Sequence, residues 1–439
     1  MTQETARSAC RPPDRDSELH RLPPLWRDRD FRLLWSGQTL SDLGSATTVL
    51  LLPLIAVTAL HASTFQVGLL AASGTVAWFL VPLPAGVLVD RVAKRRLMIV
   101  CDLVRTAVAL AIPVAAVSGS LTMAHLVVAA FLLGVFAVLF EVAWQSYVPE
   151  LLPAERLTEG NGRIAATNAA AAVLGPGLAG AAVIVLSAAS VLVVDAVSFA
   201  ISAVTLMSIS APDRLRPAVH GPGAGPALRH QVTGGVRFVV RHPVLRRVVA
   251  CSATANLFDA ITASMVVVYL VRELAVSTAL TGLVIGVGGA GGVVGAITAM
   301  PLARRFGTAR LLWAGKLTVG GLAVLVPLAG PGPGVALISI GLFANSFSVV
   351  LYNVLQITYR QSVCPPELRG RMNAAVRWII RSVIPVGALL GGLLGEAIGV
   401  RGTLAVSVVG AWLAVTWIVF SPLRSMRDLP EPVTPVGSA

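Results

Sequence analysis

Long apolar runs alternate with short polar loops along most of this chain, and that alternation is its first structural signal. The runs are long enough to cross a hydrocarbon core as helices of about 20 residues. They predict twelve spans, at about 31–60, 65–89, 97–118, 122–147, 162–185, 190–210, 248–270, 279–302, 310–329, 334–359, 372–396 and 402–421. Residues 1–30 carry Pro12-Pro13 and Pro23-Pro24 among many charges, and they read as a disordered tail. Between 211 and 247 the apolar pattern lapses into Pro, Gly, Arg and His, the composition of a linker. The predicted organisation is therefore a tail (1–30), a first six-helix bundle (31–210), a linker (211–247), a second bundle (248–421) and a closing tail (422–439).

Composition turns this pattern into a class. Of 439 residues 56% are hydrophobic and 13% charged, and the mean hydropathy is +0.81. Soluble domains carry about 25% charged residues, so the fold class is an all-α integral membrane protein. The net charge of +13 would suggest nucleic acid in a soluble chain. Here the cations lie in short loops without interleaved aromatics, which excludes a nucleic-acid surface and leaves the lipid bilayer as their partner.

Cation placement also orients the spans. Loops on one side hold Arg91, Lys94, Arg95, Arg96, Arg156, Arg163, Arg304, Arg305, Arg310, Arg360, Arg369 and Arg371, with more in the linker, whereas those on the other hold Arg272 and Arg401. The positive-inside rule makes the first side cytoplasmic and puts both termini there. A cell-membrane, multi-pass protein is expected, with no cleaved signal peptide because the first span is too long for one. Cys10, Cys101, Cys251 and Cys364 lack metal-ligand spacing, and no Ser-His-Asp set or metal cluster can be assembled, so neither an enzyme nor a metal site is expected.

The two bundles repeat one another. Ser63-Thr64-Phe-Gln-Val-Gly68-Leu69 recurs as Ser277-Thr278-Ala-Leu-Thr-Gly282-Leu283, a displacement of 277 − 63 = 214 residues. The same shift puts Arg91 on Arg305 and Arg96 on Arg310, while Asp90 meets Arg304. Gln145-Ser146-Tyr-Val-Pro149 and Gly162-Arg163 have later counterparts in Gln361-Ser362-Val-Cys-Pro365 and Gly370-Arg371. Parallel six-helix repeats are the plan of a transporter whose binding site lies between its halves.

The loop Gly86-Val-Leu88-Val-Asp90-Arg91-Val-Ala-Lys94-Arg95-Arg96 resembles the motif between helices 2 and 3 of the major facilitator superfamily. Phe31-Arg-Leu-Leu-Trp35-Ser-Gly37-Gln38, Val148-Pro149-Glu150-Leu151, Asp195-Ala-Val-Ser198-Phe199 and Leu368-Arg369-Gly370-Arg371 resemble its drug:proton antiporter branch, which includes the enterobactin exporter and macrolide efflux proteins. The resemblance implies a twelve-helix fold, helices 1, 4, 7 and 10 around a central cavity, and the Asp90 loop as a gate latch. Two departures stand out. Span 4 offers His125 and Glu141 but no arginine, and the antiporter Gly-Pro signature is only partly present, as Gly175-Pro176.

Charges within spans cost about 2.5–3.5 kcal/mol each at the bilayer centre on insertion scales, so each requires a reason. Asp42, Asp259, Arg377, Arg381 and, as the repeat partner of Asp42, Asn256 are the cavity and proton-coupling candidates. Asp42 could instead brace a helix contact, for example against Arg381, and Arg377 is shallow enough to snorkel. Asp102 and Arg105 have i,i+3 spacing and suit a supporting pair; Glu141 and Asp195 lie nearer the interfaces and read as packing or partner groups. The expected activity is proton-gradient-driven efflux of a small amphipathic or hydrophobic compound, such as an antibiotic or siderophore, by a monomer without cofactors. A small-metabolite importer and a non-transporting membrane sensor are the alternatives.

The threading has a direct check. Green fluorescent protein fused after Ala439 should fluoresce and alkaline phosphatase at the same junction should stay inactive; the opposite result inverts the orientation.

Overall fold

A computed structural model describes residues 25–89, 91–211, 236–364 and 366–429. Asp90 and most of the predicted linker and tails lie outside the described residues. Every regular element among the described residues is helical.

The spans are α1 (Arg29–Thr58), α2 (Thr64–Leu80, continued by Pro82–Val89), α3 (Lys94–Val117), α4 (Met123–Leu151), α5 (Leu157–Val185) and α6 (Ala188–Met207). After the linker come α7 (Leu245–Val268), α8 (Thr278–Phe306), α9 (Thr308–Thr318, continued by Gly320–Val324 and Leu325–Leu328) and α10 (Val335–Val363). Pro366–Leu413 is one helical run turned at Gly399 (φ 77°, ψ 163°); its arms before and after that residue are α11 and α12. Among the described residues ten helical runs are long and apolar enough to cross a bilayer. The turn at Gly399 makes two spans of one, and the broken α2 completes twelve.

Several ends differ from the predicted boundaries for local reasons. Asp28 caps α1 by accepting from the Phe31 N–H at 3.0 Å, so the helix begins before Phe31. Prolines break α2 after Val81, while α7 ends in a wider π-type turn, Tyr269–Glu273. The repeat persists in backbone geometry. His61 (φ 49°) and Ala275 (φ 48°), 214 residues apart, both take the left-handed conformation that side chains disfavour. Two residues later, Ser63 and Ser277 each cap the next helix, accepting from Gln66 and Leu280 N–H groups.

Helices in lipid pack by close approach at small residues, and the glycines of α8 serve two partners. A Cβ at Gly282 would lie 2.4 Å from the Pro176 carbonyl of α5, and one at Gly291 would lie 2.1 Å from the Phe343 carbonyl of α10. Likewise Gly68 of α2 faces Ala388 and Gly392 of α11, and Gly175 of α5 faces Ala46 of α1. The α2–α11 and α5–α8 seams therefore join the halves through backbone contacts.

The buried apolar clusters give the shape of the whole. At the end away from the 91–96 loop, one continuous cluster takes residues from both halves, including Leu51, Ile55, Leu126, Met265, Leu270 and Val326. At the opposite, basic end there are two clusters, one around Phe31, Met98 and Trp144 and another around Leu312, Tyr359 and Met372. The halves are fused at the far end and separate at the basic end. Two polar ties clasp the far end as well. Glu396 of α11 accepts from the Ser63 hydroxyl at 2.7 Å, and Arg272 donates to the Ala62 carbonyl at 2.5 Å.

Replacing Gly291 by Val should destabilise the protein by about 1–3 kcal/mol through overpacking. Ala275→Gly, which relieves a left-handed alanine, should stabilise it by about 1 kcal/mol. Thermal unfolding in detergent would read both shifts, and equal transition temperatures would refute the packing argument.

Candidate functional site

Two buried polar centres and one central polar level hold the intramembrane charges. The first centre lies inside the first half, between α1, α3 and α6. Arg105 is 7% exposed and Asp102 and Asp195 are fully buried. The guanidinium of Arg105 meets Asp102 Oδ1 at 3.4 Å and donates to Ser45 Oγ at 2.9 Å, with Phe199 stacked 3.8 Å from its centre. Asp195 accepts from the hydroxyls of Thr48 and Ser198. Gly44 makes room for this contact, since a Cβ there would lie 2.4 Å from Asp195 Oδ1. Asp195 is thus not near an interface as its sequence position suggests. It sits eight residues into the 20-residue α6, at mid-helix, where a charged group needs partners from neighbouring helices.

The second centre is in the other half. Asp259 of α7 accepts from the Asn345 amide of α10 at 3.2 Å, and Lys316 of α9 is 7% exposed with its ammonium 5.4 Å from the Tyr352 ring. A small cleft opens here, lined by Asp259, Thr262, Lys316, Asn345, Ser348 and Trp412. All of these belong to the second half, so the cleft that Asp259 lines lies within that half and not between the two. The repeat connects the centres: at a displacement of 214, Ser45 corresponds to Asp259 and Asp102 to Lys316. Each half therefore sets a polar group of its first helix within electrostatic or hydrogen-bond reach of a cation of its third. Asn345 has no signal of its own in sequence; Lys316 has one, as a cation within the predicted span 310–329 and the repeat partner of Asp102.

The central level is built from residues 10 to 15 positions in from the basic ends of α1, α2, α4, α5 and α11, roughly 15–22 Å at 1.5 Å per residue. Asp42 is half-buried and accepts from Gln38 at 2.6 Å and, with the Asn168 amide nitrogen turned toward it, from Asn168 at 2.5 Å. Glu141, expected nearer an interface, stands ten residues in from the basic end of α4 and accepts from Gln145 at 2.5 Å. Across from them the Arg381 guanidinium lies 4.0 Å over the Trp78 ring, beside the stacked Phe79 and Trp378 rings, 5.3 Å apart. The brace between Asp42 and Arg381 does not form, because Arg381 takes the aromatic face and Asp42 takes amides. Arg377 is exposed one turn from Arg381. Asn256 donates to the Ser252 carbonyl on its own helix at 2.8 Å.

At the basic end the loop cations are fastened within the first half. Lys94 pairs with Glu150 at the end of α4, and Arg95 donates to the Ile209 and Ala211 carbonyls just beyond α6, where the helix dipole favours a cation. Arg91 is exposed, Arg96 is engaged, and Gly86 has open space where a side chain would stand. Gly175 and Pro176 are buried against α1 and α8. Among the described residues no three His, Cys, Asp or Glu side chains are placed to hold a metal ion.

Comparison with known proteins decides the family. The profile of the Major Facilitator Superfamily matches residues 34–385. The chain belongs to the Major Facilitator Superfamily. It is a membrane transporter and not an enzyme. The chain is similar to the multidrug efflux pump Tap of Mycolicibacterium fortuitum, at 26% identity over 387 residues covering 85% of this chain and 91% of Tap. It is also similar to YfiS of Bacillus subtilis (strain 168), an uncharacterized MFS-type transporter, at 25% identity over 402 residues covering 90% of this chain and 94% of YfiS. Among solved structures, a bacterial homologue of the iron transporter ferroportin in an inward-facing state shares the fold, with a TM-score of 0.74 at 15% identity over 91% of this chain and all of that one. The nucleoside transporter NupG does so with a TM-score of 0.71 at 9% identity over 90% and 99% of the two chains. The twelve-helix superfamily fold is therefore established for this chain.

Arg105→Met should destabilise the first half by about 3–5 kcal/mol, because it strands buried Asp102. Adding Asp102→Asn should return part of that loss. Chemical unfolding of the two variants in detergent would measure it, and additive losses would show that the pair is uncoupled.

Proposed function

We propose that this transporter exports a small amphipathic or hydrophobic compound, such as an antibiotic, siderophore or other secondary metabolite, in exchange for protons by alternating access. The observation that carries the reading is the single apolar cluster across the far end and its division at the basic end. The positive-inside rule assigns the basic end to the cytoplasm of a cell membrane, with both termini inside. The arrangement described is then the inward-open state, ready to load from the cytoplasm. The efflux activity named for Tap supports the outward direction.

In this mechanism Asp42 carries the proton at the central level. Its carboxyl is held by two amide groups and lies within the electrostatic reach of Arg105 and Glu141, so rearranging α1 against α3 and α4 would change its surroundings. Asp259, in reach of Lys316, is the second acid that could be coupled to helix movement. The loop from Gly86 to Arg96, anchored through Lys94 and Arg95, acts as one side of an inner latch. The Glu396 and Arg272 ties hold the far end shut and must release for the compound to leave. The proton gradient supplies the energy without a cofactor, and the monomer, with its halves at 31–210 and 248–421 joined by the 211–247 linker, is the working unit.

The test is efflux of a fluorescent drug from cells expressing the protein, with and without a protonophore. Efflux should collapse with the protonophore, and Asp42→Asn should slow it by on the order of a hundredfold, the scale of a lost proton-transfer group. Intact proton-driven efflux in both Asp42→Asn and Asp259→Asn would remove these acids from the mechanism. Uptake of a labelled nutrient would favour import, and ligand binding without flux would favour a sensor.

A further inference from the structure

The central level is electrically lopsided, and the imbalance bears on what it carries. On the wall formed by the first half, Asp42 and Glu141 are each already engaged by amide donors, Gln38 and Asn168 for the former and Gln145 for the latter. Opposite them stand two arginines of α11, Arg377 and Arg381, and nearer the basic end Arg360, in the last turn of α10. Among the described residues no carboxylate lies within ion-pair distance of any of them. Arg377 is close enough to act electrostatically on both Arg360 and Arg381, and Glu141 acts on Arg381 from beyond ion-pair distance. Arg360 is 9% exposed and its Nε is buried without a hydrogen-bond partner.

Arg377 repels both neighbours, and guanidinium groups placed this way within a span are costly unless something of opposite charge visits them. A planar guanidinium matches carboxylates and phosphates with two parallel hydrogen bonds. Beside the fork lie the flat faces of Trp78, Phe79 and Trp378. Arg381 joins the two surfaces, since it covers the Trp78 ring and belongs to the cationic wall.

We infer that the compound carried at this level bears an anionic group, a carboxylate, sulfonate or phosphate, bound by Arg381 and Arg377, and a flat apolar body packed on Trp78 and Trp378. Lipophilic cations are the disfavoured class, because Arg377 and Arg381 repel them. Arg360, nearer the basic end, adds positive potential through its proximity to Arg377. This inference rests on reading the central level as the transport site, and it narrows the substrate from any amphipathic compound to an acidic one.

The test uses two xanthene dyes of similar shape and opposite charge, anionic fluorescein and cationic rhodamine 123. Each is titrated by fluorescence anisotropy against the full chain in nanodiscs of neutral phosphatidylcholine. Fluorescein should bind more tightly than rhodamine 123 by about tenfold or more, the value of one hydrogen bond to a charged group. Arg381→Gln and Arg377→Gln should each weaken fluorescein by a similar factor and leave rhodamine 123 unweakened, and Arg381→Lys should lose less. If Arg381→Gln fails to assemble, Arg377→Gln carries the test, because that side chain is exposed. Tighter rhodamine binding, or fluorescein binding that ignores the arginines or is absent, overturns the inference. Phosphatidylglycerol in the discs separates a lipid headgroup from a transported anion: if it abolishes fluorescein binding, the arginines are a lipid site and the inference is wrong. Arginine-dependent binding without proton-driven flux would leave it standing and remove the efflux reading. Efflux of rhodamine 123 without fluorescein binding would do the reverse.

Discussion

Helices immersed in hydrocarbon gain nothing by hiding apolar side chains from one another, so the close approach of their backbones decides how this bundle holds together. The seams that join its halves are made of Gly68 with Gly392 and Gly180 with Gly282, where no side chain stands between the backbones. Such contacts have little directional chemistry. Two surfaces of this kind can roll or part at one end while staying in register at the other, and here the far end is closed while the basic end is divided.

Polar groups provide the stiffness that the seams lack. Within the first half, Arg105 ties α3 to α1 through Ser45 and packs on Phe199 of α6. Thr48 and Asp195 tie α1 to α6 again. Lys94 and Arg95 fasten the ends of α3, α4 and α6 at the basic surface. The second half has its own equivalent in Lys316, Tyr352, Asp259 and Asn345. Each half is thus braced internally, whereas the far-end ties between halves are a few hydrogen bonds at the surface. Rigid halves with a soft connection are what alternating access requires.

The repeat explains why the halves share a shape but not a chemistry. The left-handed corners at His61 and Ala275 and the serine caps that follow them are duplicated in backbone geometry. The charges have drifted: Asp42 faces a neutral Asn256 in the alignment of the repeats, and Asp102 faces Lys316. At the central level the arginines, Arg377 and Arg381, come from the second half only, giving it a direction that a symmetric duplication would not have.

Much of this architecture was legible in the sequence, because hydrophobic length, loop charge and turn residues are local properties. The spans, the paired halves and the spacing of Asp102 and Arg105 follow from neighbours along the chain. Their failures are local too, such as the early start of α1 under the Asp28 cap and the broken α2. The tertiary structure alone decided which charges meet. Asp195 came to the centre of the first half, Arg381 lay over Trp78 and away from Asp42, Asp259 turned toward Asn345 and a cleft of its own half, and Asn168 and Gln38 closed on Asp42. These partners lie up to 303 residues apart, as 381 − 78 shows, and their meeting depends on the rotation of each helix about its axis. That rotation is set by packing of the whole bundle, which no stretch of sequence contains.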